Sequence, residues 1–188
     1  LDLEASILAT GKNAGELELV FRAEKQNNRK VLLLMDVGGS MDEHVHACEQ
    51  LFSAVHKSSH FKQLKSFYFH NSPYEFLFEN MQRVEKIATQ EILQSVDASW
   101  TLIIVGDAAM HPAELLEKGG SIDYYHQNPE PGLIWLQRLH QRLPVSAWLN
   151  PLPKNFWSHY SCQLIRKVFP NMFPLSLDGI QDMVKTIA

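Results

Sequence analysis

The chain has 188 residues, about one domain on the ordinary size scale and enough to bury a substantial core. Apolar residues make up 45% and charged residues 20%, which excludes a disordered chain and a membrane-spanning one. A net charge of −4 argues against nucleic acid as a partner.

The cysteines, Cys48 and Cys162, stand in a chain with no signal-like start, so free thiols in a reducing, cytoplasmic setting are expected. Residues up to Gly15 read as a lead-in loop broken by Gly11 and Asn13. Leu17, Leu19 and Phe21 alternate with Glu16, Glu18 and Arg22, the pattern of a half-exposed strand outside the central sheet. A polar run from Glu24 to Lys30 then leads into Val31 to Met35, an apolar stretch without helical period that predicts a strand buried on both faces. It stops at Asp36. Gly38 and Gly39 permit a sharp turn and a close approach, and Ser40 stands where a helix begins.

Val45, Cys48, Leu51, Phe52 and Val55 recur at helical spacing. The aromatic runs Phe67 to Phe69 and Phe76 to Phe78 flank Asn71-Ser72-Pro73 and predict a hairpin. Val84, Ile87, Ala88, Ile92 and Leu93 predict a helix over 83–96, and Thr101 to Val105 a second buried strand, ending at Gly106-Asp107. After a loop with Pro112, Gly119 and Gly120 come a helix on Leu133, Leu136, Leu139 and Leu143 and a strand from Val145 to Leu149. Past Pro151 and Pro153, Trp157, Tyr160, Leu164 and Val168 fit a helix. Ile180, Met183, Val184 and Ile187 fit a last one capped by Ser176. This alternation predicts an α/β fold, a Rossmann-like, three-layer, doubly wound sheet that is mainly parallel with an antiparallel edge hairpin.

Two buried strands thus end in a carboxylate. If they are neighbours where the strand order reverses, Asp36 and Asp107 face one crevice. Each residue also has a plainer reading. Ser40-Met41-Asp42-Glu43 is a capping box, and the aspartates could serve turns. In His44-Val45-His46-Ala47-Cys48 the residues two apart, 44 and 46 or 46 and 48, point to different faces of a helix, so the run is not read as a chelate. His70 and His111 fall near the crevice rim, where orienting a loop is the ordinary role.

The segment Asp36-Val37-Gly38-Gly39-Ser40 resembles the metal-ion-dependent adhesion site of von Willebrand factor A (VWA) domains, whose first motif is Asp-x-Ser-x-Ser. Gly38 departs from it and removes one of two hydroxyls. The blocks Tyr68-Phe69-His70-Asn71, Val105-Gly106-Asp107-Ala108-Ala109-Met110, Glu130-Pro131-Gly132, Trp148-Leu149-Asn150-Pro151 and Phe173-Pro174-Leu175 resemble the CoxE-like bacterial branch of that family. The resemblance implies a single VWA-like domain over 1–188 within a longer chain. It further implies Mg²⁺ or Mn²⁺ held by Asp36, Ser40 and Asp107 together with a threonine hydroxyl from the loop opening a later helix. Thr89 is the candidate, unless that helix begins near Met81 and encloses it. Gly38, Gly39, His70 and His111 would form the binding rim, and Gly38→Ser is expected to tighten the site if the loop tolerates a side chain.

Proteins similar to these are non-enzymatic adaptors that associate with MoxR-type AAA+ ATPases in protein remodelling or maturation, so a protein partner of that kind is implied. Two further readings stay open. One is a metal-free scaffold of the same fold. The other is a haloacid dehalogenase-like phosphohydrolase, which also places an aspartate after its first buried strand but needs a second carboxylate where Gly38 stands.

Overall fold

The computed structural model describes residues 29–44, 48 and 62–187, with 8 and 12 as isolated positions. The expected lead-in loop, the strand around Leu17 to Arg22 and most of the helix after Ser40 lie outside these residues.

Seven strands form one sheet: β1 (Lys30–Asp36), β2 (Gln63–Phe69), β3 (Phe76–Phe78), β4 (Lys86–Ala88), β5 (Trp100–Val105), β6 (Ser146–Asn150) and β7 (Met172–Pro174). Their order is β4-β3-β2-β1-β5-β6-β7. β1 pairs in parallel with β2 and with β5, β5 with β6, and β6 with β7. Only β3 runs against its neighbours, pairing antiparallel with β2 and β4. Apart from helical residues 42–44 and 48, the helices among the described residues are α1 (Thr89–Ser95), α2 (Pro112–Leu116), α3 (Gly132–Arg142), α4 (Tyr160–Val168) and α5 (Leu177–Ile187).

Because side chains alternate across a strand, β1 feeds both layers of the core. Leu32 and Leu34 join Leu102, Ile104 and Trp148 against Ile92 of α1, Leu136 and Leu139 of α3 and Ile165 of α4. Leu33 and Met35 turn the other way, with Val105, Ala147 and Leu149, to meet Met41, Cys48 and Met183 of α5. A sheet covered on both faces explains why β1 reads as an unbroken apolar run. Cys48 and Cys162 are both buried. Among the described residues no helix is long and apolar enough to cross a membrane.

The hairpin is present, closed by the pair Tyr68 and Phe78. Four local expectations need correction. The helix foreseen over 83–96 is shorter: Lys86 to Ala88 is an edge strand, the helix starts at Thr89, and Val84 is exposed. Ile87 and Ala88 meet the β-ladder with Leu77 and Phe76 instead, a tertiary pairing that overrides a helical spacing only a few residues long. The loop after Asp107 contains α2, and the segment from Lys154 splits into a 3₁₀ turn (Lys154–Ser158) and α4. β7 was missed because Pro174 argues against a strand, a rule that relaxes at a sheet edge. Ser176 does cap α5, its Oγ accepting from Gly179 N at 3.1 Å, while Val184 faces outward.

Leu34 and Ile104 are fully buried, so Leu34→Ala or Ile104→Ala should each cost about 2–5 kcal/mol through the cavity left behind. Ile103, only partly buried against the second layer, should cost less. Urea denaturation midpoints that leave all three variants level with the parent would contradict this packing.

Candidate functional site

The chain leaves β1 for β2 on one side and, after the hairpin and α1, returns to β5 on the other, so the strand order reverses between β1 and β5. That reversal opens a crevice at the carboxyl ends of the strands. Met35 pairs with Val105, which sets Asp36 beside Gly106 and Asp107 one residue beyond. Both aspartates are buried, Asp36 at 1% and Asp107 at 4% exposure. The tight passage is Gly106: a Cβ there would lie 3.1 Å from Asp36 Cβ and 3.4 Å from the Trp148 ring.

Asp36 Oδ1 accepts from Gly38 N at 2.8 Å and from Asn71 N at 2.9 Å. Burial pushes its carboxyl up to about 7, those two backbone donors pull it down, and the neighbouring Asp107 and Glu114 carboxylates add to the rise. Asp107 Oδ1 accepts from Ala109 N at 2.9 Å, closing an Asx turn around Ala108, which takes the left-handed conformation at φ 56°. That loop is pinned from two sides. Asn150 Nδ2 donates to Asp107 O at 2.8 Å, and the Ser161 hydroxyl donates to Ala108 O at 2.8 Å. Trp148 Nε1 donates to Gly106 O at 2.7 Å just below.

The remaining candidates divide. Ser40 lies in the 3₁₀ turn Gly39–Met41, which Gly38 precedes without any side-chain cap. The capping box is therefore not formed: Ser40 sits one residue inside the turn, and its hydroxyl is exposed with no hydrogen bond among the described residues. Thr89 does open α1, as the family pattern asks, but it follows β4, three places from β1, and is fully buried. Its hydroxyl donates to Tyr74 O at 2.6 Å. His111 caps α2, its Nδ1 accepting from Ala113 N at 3.3 Å. His70 is half-buried beside Ser72, Tyr74 and His126, its pKa lowered by burial and by the Arg83 charge. Gly39 is exposed with open space around it.

Gly38 needs no glycine backbone, since its φ is −64°. A Cβ there would instead fall onto Asn71 Oδ1, and Asp36 Oδ1 would lie 3.2 Å away. A serine at 38 would therefore have to displace the Asn71 side chain to present its hydroxyl. Sequence reading missed Asn71 and Glu114. Asn71 Nδ2 donates to Glu114 Oε1 and Oε2 at 3.2 and 3.3 Å, and Glu114 is fully buried with its carboxyl pushed up by that burial. The signal for Asn71 was its type: asparagine adopts the left-handed conformation, seen here at φ 59°, more readily than most residues. A glutamate in a helix as short as α2 reads as solvated, so nothing in the sequence marked Glu114.

An open α/β sheet with its crevice built from two aspartates at a strand-order reversal is the architecture of the VWA domain. The chain belongs to that family in its CoxE-like form: the family model described as a VWA domain containing CoxE-like protein matches residues 1–175. No curated protein matches the chain. Membership supports a protein-interaction module.

Among the described residues no three His, Cys, Asp or Glu side chains are grouped to hold an ion. The oxygen donors near Asp36 are the Asp107 carboxylate across the crevice and the Ser40 hydroxyl on the turn after β1, with the Glu114 carboxylate within electrostatic reach. Such donors fit a hard divalent cation of the Mg²⁺ or Mn²⁺ type, with no hydroxyl at 38 and with Thr89 turned to Tyr74.

A carboxyl raised in the folded state binds protons more tightly than in the unfolded chain, so without a cation Asp36 lowers stability as pH rises from about 4 to about 7. Asp36→Asn keeps an oxygen for both backbone donors and removes the charge. The stability of the parent relative to Asp36→Asn should fall between pH 5 and pH 8 in chelator, by at most about 3 kcal/mol. Urea midpoints giving a pH-independent difference would show that Asp36 carries no buried charge penalty.

Proposed function

We propose that the chain is a non-enzymatic protein-interaction module with a degenerate metal-ion-dependent adhesion site. Mg²⁺ or Mn²⁺ would be held by Asp36, Asp107 and Ser40, and a carboxylate of the partner would complete the coordination. The observation that carries this reading is the pair of buried aspartates at the heads of adjacent strands β1 and β5, with a third carboxylate adding to their charge. Unpaired, these groups repel, and a bound cation removes that cost. The proposed partner class is a MoxR-type AAA+ ATPase, for which the chain would be an adaptor, and CoxE-like membership is its support. Hydrolysis of the haloacid dehalogenase kind is disfavoured by Gly38, which stands where the proton-transfer carboxylate would be.

Mn²⁺ bound to the native state should stabilise it by RT ln(1 + [L]/Kd), about 2.7 kcal/mol at roughly a hundredfold over Kd. Melting temperature against Mn²⁺ should rise for the parent and stay flat for Asp107→Ala. No shift in the parent, or an equal shift in both, would favour the metal-free scaffold. Turnover of a generic phosphate ester, lost in Asp36→Asn, would favour the hydrolase. Co-purification with a purified MoxR-type ATPase, weakened by Asp107→Ala, would support the adaptor role.

A further inference from the structure

The space that a side chain at Gly38 would occupy is not empty. An ideal Cβ on Gly38 falls onto Asn71 Oδ1, with Asp36 Oδ1 3.2 Å off. Two independent constraints hold the Asn71 side chain there. Its backbone N–H donates to Asp36 Oδ1 at 2.9 Å, in a left-handed conformation at φ 59° that aims the side chain back across the turn. Its amide nitrogen faces both oxygens of Glu114, at 3.2 and 3.3 Å. The amide turns its NH₂ group to both carboxyl oxygens of Glu114 and its carbonyl oxygen to Gly38. That carbonyl oxygen receives no hydrogen bond among the described residues. Asn71 Oδ1 thus lies where a side chain at 38 would start, next to Asp36 Oδ1, which already accepts from Gly38 N and Asn71 N.

We propose that Asn71 replaces the hydroxyl lost at Gly38: its side-chain oxygen is a ligand for the cation at the crevice, and buried Glu114 orients the amide so that this oxygen faces it. The inference rests on the cation-binding reading above and adds residues to it. An amide oxygen is a hard donor suited to Mg²⁺ or Mn²⁺ and brings no further charge to a crowded set of carboxylates. Glu114 touches no cation in this scheme; it is a positioning residue.

The test is a titration of melting temperature with MnCl₂, and with MgCl₂ in parallel, on the parent, Asn71→Gly, Gly38→Ala and Gly38→Ser/Asn71→Gly, each also melted in chelator. Glycine accepts the backbone angles at 71, and Gly38→Ala leaves Asn71 in the chain while pushing its oxygen aside, so a folding defect in one variant does not obscure the other. Asn71→Gly and Gly38→Ala should each weaken the apparent Mn²⁺ affinity by about tenfold or more, the scale of one charge-assisted contact. The double variant returns a hydroxyl to vacated space and should recover most of the loss. A parent without a Mn²⁺ shift would overturn the cation reading and this assignment together. A parent that shifts, with Asn71→Gly shifting equally at equal concentrations, would leave the cation reading intact and overturn the role of Asn71. A double variant no tighter than Asn71→Gly would also overturn it, since Asn71 would then be holding the loop and not filling the place of a hydroxyl.

Discussion

The parallel pairing of β1 with β5 is the constraint on which the crevice depends. Once Met35 is set against Val105, the first residue past each apolar run is fixed in space, and the two chains leave the sheet at the same end. A register shift of one residue would turn Leu32 and Leu34 from one layer of the core to the other, which burial of both layers forbids. The hydrophobic pattern of the sheet therefore also sets the positions of Asp36 and Asp107. Packing and chemistry here are consequences of the same pairing.

Burying carboxylates side by side is costly, and the surroundings offset that cost with directed donors. Asp36 takes two backbone N–H groups, from Gly38 and Asn71, and Asp107 takes one from Ala109. The loop that makes this last contact includes buried Ala108 at positive φ, a conformation unfavourable for alanine. It is held by side chains from distant segments, Asn150 at the end of β6 and Ser161 in α4. A strained backbone supported from two directions is a rigid one, so the Asp107 carboxylate is presented at a fixed place. The donors only partly succeed at Asp36, whose carboxyl still sits near 7, and the remaining cost is what a cation would relieve.

The strands that carry the aspartates were legible because burial on both faces leaves an apolar run with a sharp polar end, and the helices α3 and α5 because they keep one apolar stripe. The reading failed where tertiary context outvoted local pattern. Ile87 and Ala88 carry a helical spacing yet complete the sheet edge against Leu77 and Phe76. Ser40 has the residues of a capping box, but the chain turns one position earlier and leaves its hydroxyl exposed. Glu114 and Asn71 were invisible as a pair because they lie 43 positions apart, and only the folded chain sets the amide on the carboxylate.

Gly38 shows how a departure from a motif can mislead when the motif is read along the chain alone. In sequence it is a missing hydroxyl. In the structure it is the gap into which the Asn71 amide fits, and its backbone angle would suit any residue. A side chain at 38 and the Asn71 amide in its present place compete for one space, so under the proposal above these positions are alternative sources of oxygen. An oxygen from Ser40 or from position 38 belongs to the turn after β1, whereas one from Asn71 belongs to the loop after β2, whose other contacts run to Glu114 in α2.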